Sequence, residues 1–267
     1  MAAECGHCEV VKVLLGNETI DEASLNDGLA NAAREGKLDV VKALLTNEAT
    51  NVNSTQGGPG MTALFYAATN GHVEVVRTLL AHEGVLVNMV STNEYFYGTA
   101  LHSAIKQGNI EIVSALLEHK GINVNEVDMN GATALHIAVE KNQLDVVNAL
   151  LLLPNLDVNA VRTDGATALA IAVERGQPEI VKALKINLLE KYIAERGREG
   201  APMYKTSKSF FGQKIDFGYS KDQKVKAAKA KLNELKGVAG SVSKEDEKIL
   251  NQGTIKTIVS RKINRRR

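Results

Sequence analysis

The sequence predicts an all-α fold: a solenoid of helix-turn-helix repeats with hairpin fingers, followed by a small helical C-terminal unit. Self-similarity is the first observation, since TAL triplets open at Thr62, Thr99, Thr133 and Thr167, at steps of 37, 34 and 34 residues. The second is that a helical run such as HVEVVRTLL or NIEIVSALL follows the triplet, and then VLVN, INVN or LDVN. Repetition at a fixed period of about 20–50 residues is the signature of stacked repeat architectures.

Each repeat is expected to contain two short antiparallel helices, because apolar residues recur at helical spacing in runs such as TALHIAVEKNQLDVVNALL. Thr133 is placed to cap the first helix, and Gly108 or Gly176 to end it in the left-handed conformation. Asn142 stands in place of that glycine in one copy, and Asn tolerates this conformation next best. A single repeat cannot bury its apolar face alone, so stacking of neighbours must make the core.

The unit resembles the ankyrin repeat, whose pattern runs roughly D-x-x-G-x-T-P-L-H-x-A-A-x-x-G-H-x-E-V-V-x-L-L and then V-N. The resemblance covers residues 2–184, in about five copies with the first partial. It implies an ankyrin-repeat solenoid that binds other proteins. It also implies that His102 and His136, at the TPLH position, hydrogen-bond the backbone between repeats. Alanine replaces the proline of TPLH in every copy (Ala63, Ala100, Ala134, Ala168). The only expected effect is the loss of the backbone φ angle that proline fixes at the start of the helix.

Charge divides the chain into two parts. Residues 185–267 carry 21 Lys and Arg against 9 Asp and Glu, whereas residues 1–184 carry 11 against 22. We therefore expect ankyrin repeats with a capping helix, KINLLEKYIAERG, in residues 1–197 and a basic helical segment in residues 198–267. No apolar run reaches the length of a membrane span, and the first residues lack the order of a signal peptide.

The tetrapeptide CGHC at residues 5–8 matches the active site of disulfide isomerases, but its context argues against redox chemistry. That chemistry needs a cysteine at a helix N-terminus after a strand, whereas these residues fall on the GHxEVV frame of a repeat. A zinc site would lack a second ligand pair. The sequence also offers no nucleophile–base pair, carboxylate pair or phosphate loop. We therefore expect no catalytic residue, no metal site and no cofactor.

The C-terminal segment is expected to form a small helical unit around few apolar residues. Ser220 and Gln223 form a capping-box pattern that opens a helix ending before Gly237, and Ser243 opens a shorter one. The stretch from Ser209 to Gly237 resembles C-terminal segments of ankyrin proteins that intracellular gamma-proteobacteria inject into host cells by type IV secretion. That resemblance implies a secretion signal in this segment and a host protein as the ligand of the repeats.

One finger is longer than its neighbours. The step from the Asn of the VN pair to the next repeat's Thr is eight residues in two copies, but eleven from Asn88 to Thr99. The three-residue insertion holds adjacent aromatics, Tyr95, Phe96 and Tyr97. Tyrosine is frequent in binding hot spots, so we predict contact with a partner. The alternative is that Phe96 packs against the neighbouring finger and the tyrosines flank it.

In ankyrin proteins, partners contact the finger tips and two exposed positions near the end of each first helix. The resemblance therefore nominates as partner-binding residues Asn93, Glu94, Tyr95, Phe96, Tyr97, Lys106, Gln107, Met129, Asn130, Glu140, Lys141, Asp164, Glu174 and Arg175.

These observations predict a non-enzymatic protein-binding module without a small-molecule substrate. With the C-terminal resemblance, they favour a virulence effector that is cytoplasmic in the bacterium and then secreted into the host cytosol or nucleus. Two alternatives stay open. The basic segment suits a nucleic acid or an anionic membrane. Because the chain begins within the first helix of a repeat, we expect either a native half-repeat cap or sequence upstream, which would allow a targeting arm of an enzyme whose catalytic domain lies outside this chain.

Overall fold

The computed structural model describes residues 8–15, 20–55, 60–93, 97–196 and 221–237. The chain divides into two compact units, Met1–Ala168 and Leu169–Arg267. The boundary expected after residue 197 lies outside the described residues and stays a prediction.

Short helices account for most of the first unit. In chain order they are α1 (Cys8–Leu15), α2 (Glu22–Arg34), α3 (Leu38–Leu45), α4 (Ala63–Asn70), α5 (Val73–Leu80), α6 (Ala100–Gln107), α7 (Ile110–Leu117), α8 (Ala134–Glu140) and α9 (Leu144–Leu151). Three helices follow in the described residues: α10 (Ala168–Glu174), which begins at the unit boundary, α11 (Pro178–Arg196) and α12 (Lys221–Lys236).

The helices of the first unit stack in two rows. The first helices of successive repeats contact one another, α2 with α4, α4 with α6 and α6 with α8. The second helices do the same, in the order α1, α3, α5, α7 and α9, and each also packs against the first helix of its own repeat from α2–α3 to α8–α9. Contacts thus run mainly between nearest neighbours, which confirms the predicted solenoid.

Aliphatic and small side chains fill the core. Leu79, Leu116 and Leu150 are fully buried on successive second helices, and each stabilises the fold by roughly 2 kcal/mol through burial. Ala67, Ala104 and Ala138 are fully buried on successive first helices. A methyl side chain lets neighbouring helices approach closely, so the core needs few aromatic residues.

The ends of the first helices confirm the predicted caps. Thr62 accepts a hydrogen bond from the Phe65 N–H at 3.2 Å, and Thr99 lies within hydrogen-bonding distance of the His102 N–H at 3.4 Å. Gly108 closes α6 with a left-handed φ of 76°. Asn142 takes the equivalent position after α8 with a φ of 56°, as the sequence predicts.

Asparagine side chains join one repeat to the next at the loops that follow α3, α5 and α7. The Asn88 amide donates to the Gly121 carbonyl at 2.7 Å and accepts from the Asn123 N–H at 2.8 Å. Asn53 and Asn125 make the same pair of bonds one repeat earlier and one repeat later. The Asn of the VN pair is therefore a link between repeats.

The second unit contains a long helix, α11, packed against α12. The sequence KINLLEKYIAERG was expected to form a helix of its own, and that expectation is wrong. The segment continues the second helix of the last repeat, giving one helix of 19 residues, because no glycine or proline interrupts the chain at Leu184 and Lys185. Helix α12 ends at Gly237, whose φ of 72° is left-handed, as predicted. The helix expected from Ser243 lies outside the described residues.

Candidate functional site

The candidate surface is built on the hairpin fingers that connect successive repeats. We number them in chain order as finger 1 (53–62), finger 2 (88–99), finger 3 (125–133) and finger 4 (159–167). Neighbouring fingers contact each other directly. The Thr163 N–H in finger 4 donates to the Asn130 carbonyl in finger 3 at 3.0 Å, so these two fingers present one continuous surface.

Finger 2 has the predicted insertion. Ser91 and Gly98 pair across the hairpin through two backbone hydrogen bonds, of 2.8 and 3.3 Å. Six residues lie between them, against three between Asp128 and Ala132, which pair at the same place in finger 3. The insertion therefore lies between the two paired residues and leaves the base of the hairpin intact.

The residues of this tip are only partly described. Glu94, Tyr95 and Phe96 lie outside the described residues, so their predicted contact with a partner stays a prediction. Asn93 and Tyr97, on either side, are half-buried. The Asn93 N–H donates to Ser91 Oγ at 3.2 Å, and this bond holds the start of the tip against the base.

Gly98 brings finger 2 into close contact with α6. Its φ of +131° disfavours side chains, and a Cβ at this position would lie 3.1 Å from the Cβ of His102. His102 is itself buried, and its Nδ1 accepts from the Thr99 N–H at 3.1 Å. Finger 2 thus starts from a rigid base on the first helix of its repeat.

Lys106, one of the predicted partner-binding residues, forms an ion pair within the chain. Its Nζ lies 3.5 Å from the carboxylate of Asp128 in finger 3. Asp128 is 7% exposed and accepts the N–H groups of Asn130 and Ala132 at 2.9 and 3.0 Å. The pair ties the end of α6 to the finger of the following repeat.

The next repeat makes the same link with opposite charges. Glu140 at the end of α8 pairs with Arg162 in finger 4, at the position equivalent to Asp128. Arg162 also lies 3.6 Å from Asp164. Asp164 accepts the Ala166 N–H at 2.8 Å, which is the backbone bond that Asp128 supplies to Ala132. In finger 4 two residues therefore share the roles that Asp128 combines in finger 3.

The remaining predicted residues of the first unit are exposed. Gln107, Lys141, Asn130 and Met129 all face solvent, and Met129 is 57% exposed. Glu174 and Arg175 are exposed in the second unit. The structure thus places predicted residues on α6, on α8 and on fingers 2, 3 and 4, but three of the predicted charges, Lys106, Glu140 and Asp164, are already paired within the chain.

The repeat pattern did not mark Val127 and Val161 as candidate binding residues. They are 46% and 59% exposed and occupy the same place in fingers 3 and 4, each two residues after the Asn of the VN pair. The sequence did contain a signal for them, because an aliphatic residue recurs two residues after the Asn of the VN pair, and this position lies at the start of the hairpin. We group them with Met129, which is also exposed in finger 3, and call Val127, Met129 and Val161 the apolar finger patch.

The buried histidines have a structural role. Burial lowers the pKa of His102 to about 4, an effect that nearby Lys106 adds to and Asp128 opposes. Burial likewise lowers the pKa of His136, whose Nδ1 lies 2.9 Å from Thr133 Oγ1. Both rings are neutral at pH 7 and fixed to the Thr that begins their helix. The described residues contain no cluster of three or more His, Cys, Asp or Glu that could hold a metal ion, and none of their helices could cross a membrane.

Comparison with known proteins gives one family. A model for ankyrin repeats (3 copies) matches residues 1–91 and 85–161. No curated protein matches the chain.

Proposed function

Because the chain belongs to the ankyrin-repeat family, whose repeats serve as protein–protein interaction modules and are typically non-catalytic, we propose that fingers 2, 3 and 4 and the adjoining ends of α6 and α8 bind a partner protein. The partner contacts the aromatic tip of finger 2 and the apolar finger patch together.

The apolar finger patch is the observation that carries this proposal. Val127, Met129 and Val161 are each about half exposed, and they lie on two fingers joined by the hydrogen bond between Thr163 and Asn130. Single exposed apolar residues are common, but a group on one surface marks an interaction site when polar residues surround it. Removing such side chains from water on binding contributes about 25 cal/mol per Å² of buried apolar area.

The charged groups at the ends of α6 and α8 are paired within the chain, so a partner is expected to recognise this surface by shape and apolar contact. Lys106 and Glu140 are paired with Asp128 and Arg162, so a partner gains little by approaching them with a charge. Exposed Gln107, Lys141 and Asn130 supply the polar rim that surrounds the apolar centre of a typical interface. The affinity is therefore expected to change little with salt.

We propose further that the partner is a host protein and that the chain is a secreted bacterial effector. The resemblance of Ser209–Gly237 to type IV-secreted ankyrin proteins supports this. A reporter enzyme fused to the chain tests it in bacteria with and without a type IV apparatus. Delivery into host cells that depends on both the apparatus and residues 198–267 is expected; delivery that is unchanged without the apparatus would refute the secretion proposal.

The binding experiment compares variants for capture of proteins from host-cell lysate, followed by affinity measurement with the purified partner. Val127→Ser combined with Val161→Ser is expected to weaken binding at least tenfold, because two aliphatic side chains are no longer removed from water on binding. Tyr95→Ala with Tyr97→Ala tests finger 2 separately. Leu152→Ser is the matched control, because Leu152 is 84% exposed and lies outside the fingers. Equal affinities for the wild type and the finger variants would contradict the proposal.

A further inference from the structure

Helix α12 has a basic face that the ankyrin surface does not use. Its sixteen residues include six lysines against Asp222 and Glu234. We propose that this face is a second binding site, which takes the phosphate backbone of a nucleic acid without reading its sequence.

Packing decides which lysines are available. Ala228 is fully buried, and Leu232 and Leu235 are half-buried, so the apolar side of α12 is covered. Lys226 and Lys229 are exposed, and Lys236 has a side chain that is 42% exposed. Residues three and seven apart share one helical face, so these lysines form a stripe about 15 Å long.

Carboxylates neutralise the C-terminal half of the helix and leave the centre positive. Lys231 pairs with Glu234 at 2.7 Å, and Lys236 pairs with Glu190 of α11 at 2.7 Å. Among the side chains that the structure describes, no carboxylate forms an ion pair with Lys226 or Lys229, whereas Lys231 and Lys236 each have one. Like charges three residues apart on a helix repel each other, and an anion bound across them removes that repulsion.

The form of the stripe favours nucleic acid over a membrane. A helix that lies on a membrane buries Leu, Phe or Trp between the lipid headgroups. Among the described side chains of α12, no large apolar one is exposed. Duplex DNA carries one charge per about 1.7 Å of its axis, so the unpaired Lys226 and Lys229, about 4.5 Å apart along the helix axis, can each meet a phosphate. Lysine contacts to phosphate position a protein on the backbone and carry no sequence information.

The experiment measures binding of the full-length chain to a fluorescent DNA duplex and, in a second arm, to single-stranded RNA, by anisotropy between about 50 and 200 mM salt. Lys226→Gln with Lys229→Gln is expected to weaken binding several-fold in at least one arm. It should also reduce the slope of log affinity against log salt by roughly 1.8 for the duplex, about 0.9 for each phosphate that the variant no longer neutralises, and by roughly 1.4 for the single strand, about 0.7 for each. Vesicles containing phosphatidylserine are measured alongside.

The control is Lys42→Gln with Lys120→Gln, which removes the same charge from exposed lysines of the first unit. It should leave both affinity and salt slope unchanged. The proposal is overturned if the control weakens binding as much as the α12 variant does, or if the α12 variant binds nucleic acid as the wild type does. Detectable binding to vesicles alone would also overturn it. The variant Val127→Ser with Val161→Ser should bind nucleic acid as the wild type does. A failure of the protein-binding proposal can therefore be distinguished from a failure of this one.

Discussion

Arg162 in finger 4 forms an ion pair with Glu140 at the end of α8, and this pair is the reverse of the one that precedes it. One repeat earlier, the cation, Lys106, is on the helix and the anion, Asp128, is in the finger. Successive repeats therefore make the same connection with exchanged charges, and the connection holds each finger over the helix of the repeat before it.

Exchanging the charges of the Glu140–Arg162 pair should preserve the fold. Arg162→Asp alone places a carboxylate beside Glu140, and we expect a loss of about 1–3 kcal/mol in unfolding free energy, since both side chains are partly buried. Adding Glu140→Lys should recover most of that loss. Urea unfolding followed by circular dichroism measures both variants.

The same exchange should fail one repeat earlier. Lys106→Asp with Asp128→Lys restores opposite charges, but it leaves the N–H groups of Asn130 and Ala132 without the carboxylate that accepts them. Each missing bond of this kind costs about 1–3 kcal/mol when the donor stays buried. If both double variants recover stability equally, the division of roles between Asp128 and Asp164 is wrong.

Gly36→Ala should destabilise the protein by more than backbone strain alone. Gly36 has a φ of +69°, and a Cβ there would lie 2.5–2.9 Å from the ring of His72. The strain of a left-handed alanine is about 1–2 kcal/mol, and displacement of the ring adds to it, because His72 Nε2 lies 2.8 Å from the Arg34 carbonyl.

Gly176→Ala is the matched comparison for this substitution. Gly176 occupies the equivalent position of the last repeat, with a φ of +64° and nothing within 4 Å of the added Cβ. We expect it to cost only the backbone strain. Thermal unfolding of the two variants separates the backbone strain of alanine from the cost of displacing the His72 ring. Equal shifts in Tm would show that the contact with His72 does not contribute to the destabilisation.

Stability should fall with acid, because His102 is held neutral. Its pKa is about 4 in the folded chain against an ordinary 6.5, so the unfolded state binds more protons between these values. Stability is therefore complete above about pH 6.5 and decreases as the pH falls toward 4, by roughly 3 kcal/mol at the lower end. The lowered pKa of His136 acts in the same direction.

Urea unfolding at a series of pH values tests this, with His102→Gln as the comparison. The variant lacks the ring nitrogen that accepts the Thr99 N–H and should be less stable at pH 7. Because it cannot titrate, its stability should decline less steeply below pH 6.5. Parallel pH profiles for the wild type and the variant would show that another group causes the acid sensitivity.

Asn88→Ala should loosen the packing between neighbouring repeats. The substitution removes one bond donated to Gly121 and one accepted from Asn123, each contributing about 0.5–1.5 kcal/mol. We expect a loss of about 1–2 kcal/mol, measured by urea unfolding. Asn148→Ala is the control, since Asn148 is exposed on α9 and Ala favours helix. A control loss as large as that of Asn88→Ala would assign the effect to something other than the inter-repeat bonds.

Some features of the proposed binding surface were predictable from the sequence and some were not. The length of finger 2 follows from counting residues between repeated positions, and the structure places the extra residues between Ser91 and Gly98. The pairing of Lys106 and Glu140 does not follow from the repeat pattern, because their partners lie 22 residues further along the chain. Exposure of Val127 and Val161 also depends on how the hairpins pack.

The sequence by itself determined the repeat, its helix caps, the left-handed Asn142 and the end of α12 at Gly237. These features depend on interactions within a few residues, such as a Thr hydroxyl near the first N–H groups of a helix, or a backbone angle that few residues tolerate. Only the tertiary structure decided that α11 continues without a break, that Lys106 pairs with Asp128 and Glu140 with Arg162, and that Val127, Met129 and Val161 stay exposed on fingers 3 and 4. Those outcomes depend on which surfaces meet when repeats stack, and periodicity within one repeat does not specify them.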